Sequence, residues 1–327
     1  MAHFSASTSL TLMRKTAPFL AFRVAVYFCI AAAYVIATGT GAGIGYGIGG
    51  FWDNETHLSA AFYGGAAGLG LTGAVLYFFR EYILYIVKAG HIAVMVELLQ
   101  DRTIPDGKGQ IAYTRQMVTE RFGSANILFG IDQLVKGVIT AVTGLLEGLF
   151  SFLPIPGLDR LMAIARAYLK VAVGLLDEVM LAPCFQTRAE NPYDASRTAL
   201  VLYAQNAKPL LYSAAWVTAW GWVLSIIVFV VMLVPAGAVV YLMPGQMSSG
   251  AFVFAILFAW ATKVALIEPF AIACMMQAYF KVTEGQIRNP EWEAKLDRVS
   301  GKFKTLSSKA AQFAGFGGGK SMKEAAV

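Results

Sequence analysis

Residues 260–280, "WATKVALIEPFAIACMMQAYF", place Lys263, Glu268 and Pro269 inside a run that is otherwise apolar enough for a lipid bilayer. The layout of the chain turns on whether these three residues mark a polar site or a helix reaching the bilayer's edge. If the span starts near Gly250 on the outer side, Lys263 lies about 20 Å along it at 1.5 Å per residue, in the inner third of the hydrocarbon. Its amine then snorkels to the inner headgroups. Glu268-Pro269 falls near the inner boundary, where the proline turns the helix onto the membrane surface. Lys263 and Glu268 lie about 140° apart round a helix and do not form an i,i+4 pair, so each needs its own partner.

The rest of the chain fits a membrane reading. Of 327 residues, 57% are hydrophobic and only 14% charged, against about a quarter charged in globular chains. Apolar runs near 18–42, 58–79, 210–242 and 250–270 each reach the roughly 20 residues that cross about 30 Å of hydrocarbon. The first run exceeds the apolar core of a cleaved signal and is expected to remain as a helix. The expected fold is an all-α integral membrane protein with four transmembrane helices in two hairpins, joined by interfacial or re-entrant amphipathic helices.

Charge distribution orients it. Loop 51–57 has no Lys or Arg, and loop 243–249 has no charge; residues 80–208 hold thirteen Lys/Arg and the tail from 281 holds nine. Positive charge marks the inner side. Both termini are therefore expected in the cytoplasm of a bacterial inner membrane. The chain divides into an N-terminus 1–17, a hairpin 18–79, a helical region 80–208, a second hairpin 209–270 and a tail 271–327.

Helical phase describes the middle region. Asp132, Lys136, Thr140, Thr143 and Glu147 recur at three- and four-residue steps on one stripe, the expected polar face of a helix over 124–153. Asp159, Arg166, Lys170 and Asp177, at steps of seven, four and seven, also share one stripe over 157–183. With 82–100, these are expected to lie at the inner interface. Asn191 caps a further helix that has Pro192 in its first turn. Each hairpin is followed by a helical continuation, which gives a degenerate two-fold repeat in hydropathy.

Several chemistries lack their motifs. Cys29, Cys184 and Cys274 have no paired spacing, and His3, His57 and His91 stand alone, so no metal or cofactor is expected. No nucleophile arrangement, Walker pattern or kinase pattern occurs, so an enzyme is not expected, and neither is a nucleic-acid partner. "GYGIGG", residues 45–50, matches the dinucleotide fingerprint literally, but it ends a membrane span instead of following a strand. The glycines instead suit small-xxx-small helix packing: Gly41/Gly45 and Gly43/Gly47 in the first span, Gly64/Gly68 in the second.

Charge inside an apolar chain marks candidate polar-site residues: Lys263, Glu268, Asp177 and Glu178. Trp216, Trp220 and Trp222 could face a quaternary ammonium, although the interfacial belt accounts for them as well. Arg23 and Arg80-Glu81 read as charges at span ends.

The text over 168–242, including "LLDEVMLAP" and "NPYDASRTALVLYAQNAKP", resembles the C-terminal half of choline-transporter-like proteins. There a short acidic helix leads to an Asn, a small-residue and Arg stretch, and an apolar run ending in Asn before a span. The matching positions are Glu178, Asn191, Ser196, Arg197 and Asn206. The resemblance implies a small-solute transporter or permease for a choline-like cation, with Arg197 in its polar site; the chain departs from the family in having far fewer spans. The expectation of a different class is a non-enzymatic oligomeric scaffold associating through Gly41, Gly45, Gly64 and Gly68. Expected partners are the lipid bilayer, further copies of the chain and a small cationic solute.

Overall fold

The structure, a computed structural model, describes all residues except 1–2, 52–53, 105–108, 123–124, 152–173, 176–177, 188–189, 242–247 and 325–327. Every regular element among the described residues is helical. In chain order these are α1 (Ala6–Lys15), α2 (Ala17–Gly49), α3 (Asn54–Leu99), α4 (Gln110–Phe122), α5 (Ala125–Ser151), α6 (Ala182–Gln186), α7 (Pro192–Gln205) and α8 (Ala207–Tyr241). Then come α9 (Ser248–Thr262), a π-helical turn (Lys263–Ile267), α10 (Glu268–Thr283), α11 (Pro290–Val299) and α12 (Gly301–Glu324). The protein is an all-α membrane protein. Four helical stretches are long and apolar enough to span a bilayer: Ala17–Gly49, Thr56–Tyr77, Ala207–Tyr241 and Ala251–Thr283.

The chain forms two units. One comprises Ala17–Val87 and Trp220–Pro269; the other comprises Met1–Thr16, Lys88–Ala219 and Phe270–Val327. They are called here the span unit and the helical unit.

In the span unit, α2 packs against α9 and the π turn. Tyr27, Ala31, Leu84, Ala261, Val264 and Ala265 form one buried cluster, and Ala236, Phe254 and Ala255 form another. Outward-facing positions of α8, including Ile226, Val230 and Val234, are exposed aliphatics. That is the surface a bilayer solvates, since hydrocarbon gives no reason to bury them.

In the helical unit, α5 packs against α4, α7, α11 and α12. Ile131, Leu134, Val135, Val138 and Ile139 are its buried apolar face, so that face is covered by protein. The continuations of the spans are buried too: Ile92–Val96 of α3 and Ala271–Met276 of α10 lie in the unit's interior. Neither offers an open apolar face to lay on lipid. Most of the helix expected over 157–183 lies outside the described residues.

Local signals set the joints. Asn191 caps α7 by accepting from the backbone N–H groups of Tyr193 and Asp194, with Pro192 at the first helical position. Its amide also donates to the Ala310 carbonyl of α12 at 2.8 Å, so one residue starts a helix and fastens another. Asn289 and Pro290 repeat the cap on α11.

Candidate functional site

The opening stretch builds the site. Pro269 has no N–H, and its ring clashes with the carbonyl four residues back in a regular helix. The chain answers by widening instead of stopping: Lys263–Ile267 form a π turn, in which the Glu268 N–H bonds the Lys263 carbonyl. In that register the carbonyl of Val264 would take its donor from residue 269, and proline has none. Arg23 supplies it. Its Nη2 donates to the Val264 carbonyl at 2.7 Å, and Arg23 is 0% exposed.

Two expectations are corrected here. Pro269 does not redirect the helix onto the surface, because α9, the π turn and α10 run on without a break. Arg23 does not reach outward from the end of a span. It is folded inward, with its guanidinium carbon 5.7 Å from the Tyr27 ring centroid, and that ring meets Trp260 edge-on at 5.8 Å. Lys263 and Glu268, at the two ends of the π turn, are half-buried. The site thus holds two cations and a carboxylate around one irregular turn of a spanning helix.

Glu178 belongs to the other unit. Lys88 of α3 donates to its Oε1 at 2.6 Å. Beside this pair, Asp132 of α5 bonds Lys136 at 2.7 Å, and the charges of Lys88 and Glu178 reach Asp132. The expected polar face of α5 therefore begins in the core: Asp132 is buried, whereas Thr140 is exposed. The reason is the partner set, because Lys136 and Lys88 offset the carboxylate that α5 carries inward. Asp177 lies outside the described residues.

Arg197 on α7 ion-pairs with Glu293 on α11, while Arg288 pairs with Asp194 at 3.0 Å. These contacts hold α11 and the segment before it to α7 and explain Arg197 as a fastening. Trp216 and Trp220 are exposed on α8, the placing of interfacial belt residues. A cleft of about 610 Å³ opens in the helical unit between α7 and α10, lined by Asp194, Thr198, Lys281 and Glu284 among others.

The glycines have a definite geometry. A Cβ added at Gly41 would lie 2.1 Å from the Gly64 carbonyl oxygen, one at Gly45 2.0 Å from that of Ala60, and one at Gly68 2.2 Å from that of Ala37. Gly64 meets the Gly41 carbonyl in return, also at 2.1 Å. All four glycines are used within one chain, where they let α2 and α3 approach backbone to backbone. Gly43 and Gly47, on another side of α2, meet nothing within 4 Å.

Comparison with known proteins returned no matching family model, no similar curated protein and no similar solved structure. Among the described residues, no group of three or more potential ligands is placed to hold a metal ion.

Sequence reasoning missed the role of Arg23 and the grouping of Lys88, Asp132 and Lys136 with Glu178. Both had a signal. A proline well inside a helix announces an orphaned carbonyl about one turn earlier, and "IDQLVK" sets an i,i+4 acid-base pair among core aliphatics.

Proposed function

We propose that the protein is a small-solute permease of the cell membrane, with its polar site at the π turn of the fourth span. The observation that carries this reading is a fully buried arginine from one spanning helix donating into a π turn of another. Buried charge in spanning helices is costly and by default functional, and π turns recur at functional sites. A helix with a register defect braced by a side chain from a neighbouring helix is also a candidate two-state element, because shifting the defect along the helix exchanges backbone bonds and releases the Arg23 contact. Lys263 and Glu268 flank the part that moves.

A choline-like cation is the substrate class that the family resemblance implies, and Glu268 is the carboxylate that would meet it. The expected orientation, with both termini cytoplasmic, is supported by the placing of Arg14 and Lys15 before the first span and of Lys208 at the start of α8. Reporter fusions after residues 54, 108 and 246 test it: cytoplasmic activity is expected at 108 only.

Uptake of labelled choline into proteoliposomes tests the activity. Wild type is expected to accumulate it, Arg23→Met to lose most of the rate, and Glu268→Gln to lower it. No uptake by wild type ends the choline assignment, whereas uptake unchanged in both variants removes the π-turn site.

The scaffold reading has one supporting observation, the open Gly43/Gly47 side of α2. The four glycines first assigned to self-association are occupied within the chain. Crosslinking in membranes separates the readings: an oligomer abolished by Gly47→Leu supports the scaffold.

A further inference from the structure

The cleft between α7 and α10 is walled by parts that hold still. Tyr279 of α10 donates to the Ala199 carbonyl of α7 at 3.2 Å, which ties the two helices together at the cleft. Beyond the end of α10, Gly285 takes a positive φ of 68°. The turn is then fixed by Gln286, whose amide donates to the Val282 carbonyl and accepts from Asn206, each at 2.7 Å. The part of the wall that α6 contributes is held through its Gln186 carbonyl, which accepts from Arg102 at 3.0 Å. At about 610 Å³, the cleft has the size of a small-molecule site and the pre-formed shape such sites usually have.

Two charges on its lining are not answered from within the protein. Asp194 is taken by Arg288. Among the described residues, Lys281 and Glu284 take part in no ion pair and no side-chain hydrogen bond, although residues three apart on a helix are close enough to pair. Their order, cation before acid, is the less favourable one along a helix. Glu284 also follows directly on the last residue of α10, where a carboxylate faces the negative end of the helix dipole. That placing costs stability unless a cation from elsewhere meets it.

The other polar groups of the lining have capacity of both kinds. The side-chain amides of Gln100 and Gln186 and the hydroxyl of Thr198 reach the cleft, and among the described residues none of the three is engaged. Each can donate and accept. Leu202 and Phe280 set an apolar surface beside them. We propose that the cleft binds a free amino acid with an apolar side chain, its carboxylate at Lys281, its ammonium at Glu284 and its side chain against Leu202 and Phe280. The two amides and the hydroxyl complete the hydrogen bonding at both charged ends.

The charges select the class. A free cation and a free anion one helical turn apart match a zwitterion whose ammonium and carboxylate are joined through a single carbon. A choline-like cation would leave Lys281 unanswered. A betaine, with no N–H on its nitrogen, would leave the acceptors beside Glu284 without donors. The cleft lies wholly in the helical unit and uses no residue of the π turn, so this assignment stands apart from the permease reading.

The test is calorimetric titration of the full chain in lipid nanodiscs with L-leucine, L-phenylalanine and two analogues of each: the amide, which lacks the carboxylate charge, and the acid that lacks the ammonium. At least one of the two amino acids is expected to saturate one site per chain. Its analogues should bind at least about tenfold more weakly, the scale of one lost charge-assisted contact. Lys281→Met and Glu284→Gln should each cause a loss of the same size, whereas Glu268→Gln, at the π turn, should leave binding unchanged. Lys281 and Glu284 are exposed, so both variants should fold, and an unchanged thermal melt verifies it. The proposal is overturned if neither amino acid saturates, if the analogues bind as well as the parent, or if binding survives Lys281→Met and Glu284→Gln at full strength. Loss of binding in Glu268→Gln alone overturns it too, because the amino acid then sits at the π turn. None of these results touches the choline-uptake test.

Discussion

The span unit contains two helix contacts made by opposite means. Between α2 and α3 the side chains are withdrawn: Gly41, Gly45, Gly64 and Gly68 bring backbone against backbone, with carbonyl oxygens where any Cβ would sit. Between α2 and the π turn a side chain is inserted, and Arg23 reaches across to mend the hydrogen bond that Pro269 removes. The first contact has no adjustable part, because rigid helices touch along their axes and cannot shift without a clash. The second joins an apolar cluster around Tyr27 and Val264 to a polar bond from Arg23, and its polar part is the adjustable one. In a bilayer, where apolar burial gives little drive for association, close approach fixes structure and a mended polar defect permits motion.

The largest effect is expected from breaking the closed contact. Gly41→Leu places a branched side chain against the Gly64 backbone, at a cost above the roughly 1–3 kcal/mol usual for overpacking, because no flexible atom can yield. Membrane abundance and thermal aggregation should both show severe loss. Gly43→Leu, two residues along and facing open space, should change neither; equal losses would mean that α2 and α3 do not meet where described.

Arg23→Met comes next. It leaves the Val264 carbonyl buried without its donor, at a cost of about 1–3 kcal/mol. The same loss should shrink in a Pro269→Ala background, where residue 269 regains an N–H that can serve that carbonyl. A double-mutant cycle of thermal stability measures the coupling, and strict additivity would break the proposed link between the proline and the arginine.

The smallest effects belong to the flanks of the π turn. Lys263→Leu should be tolerated or improve insertion, since removing a charge from the inner third of the hydrocarbon removes a cost of up to about 2.5–3.5 kcal/mol on insertion scales. Glu268→Gln should be moderate. Comparing the abundance of both variants sharpens the contrast: a severe loss for Lys263→Leu would make that lysine part of the mended defect and not a snorkelling cation.

Particular residues show how far the sequence could be read. The four spans were legible because transfer into lipid depends on composition over some 20 residues, whatever the neighbours. Asn191 with Pro192 was legible because a cap is settled within a few residues. Arg23 was misread because its distance from the helix end suggests the boundary, while its direction depends on a carbonyl 241 positions later in the chain. Asp132 was misread for a related reason. Helical phase gives a stripe, but whether a stripe faces water or a lysine from another helix is a tertiary fact.

By itself, then, the sequence determined an all-α chain with four apolar spans and an excess of positive charge in the segments between and after the hairpins. Those properties are sums over local windows. Only the tertiary structure decided which glycines are filled, that Pro269 widens its helix without ending it, and that Lys88, Asp132, Lys136 and Glu178 form one group. Each of these is settled by an atom from a distant segment arriving within a few ångströms, and short-range periodicity carries no record of such arrivals.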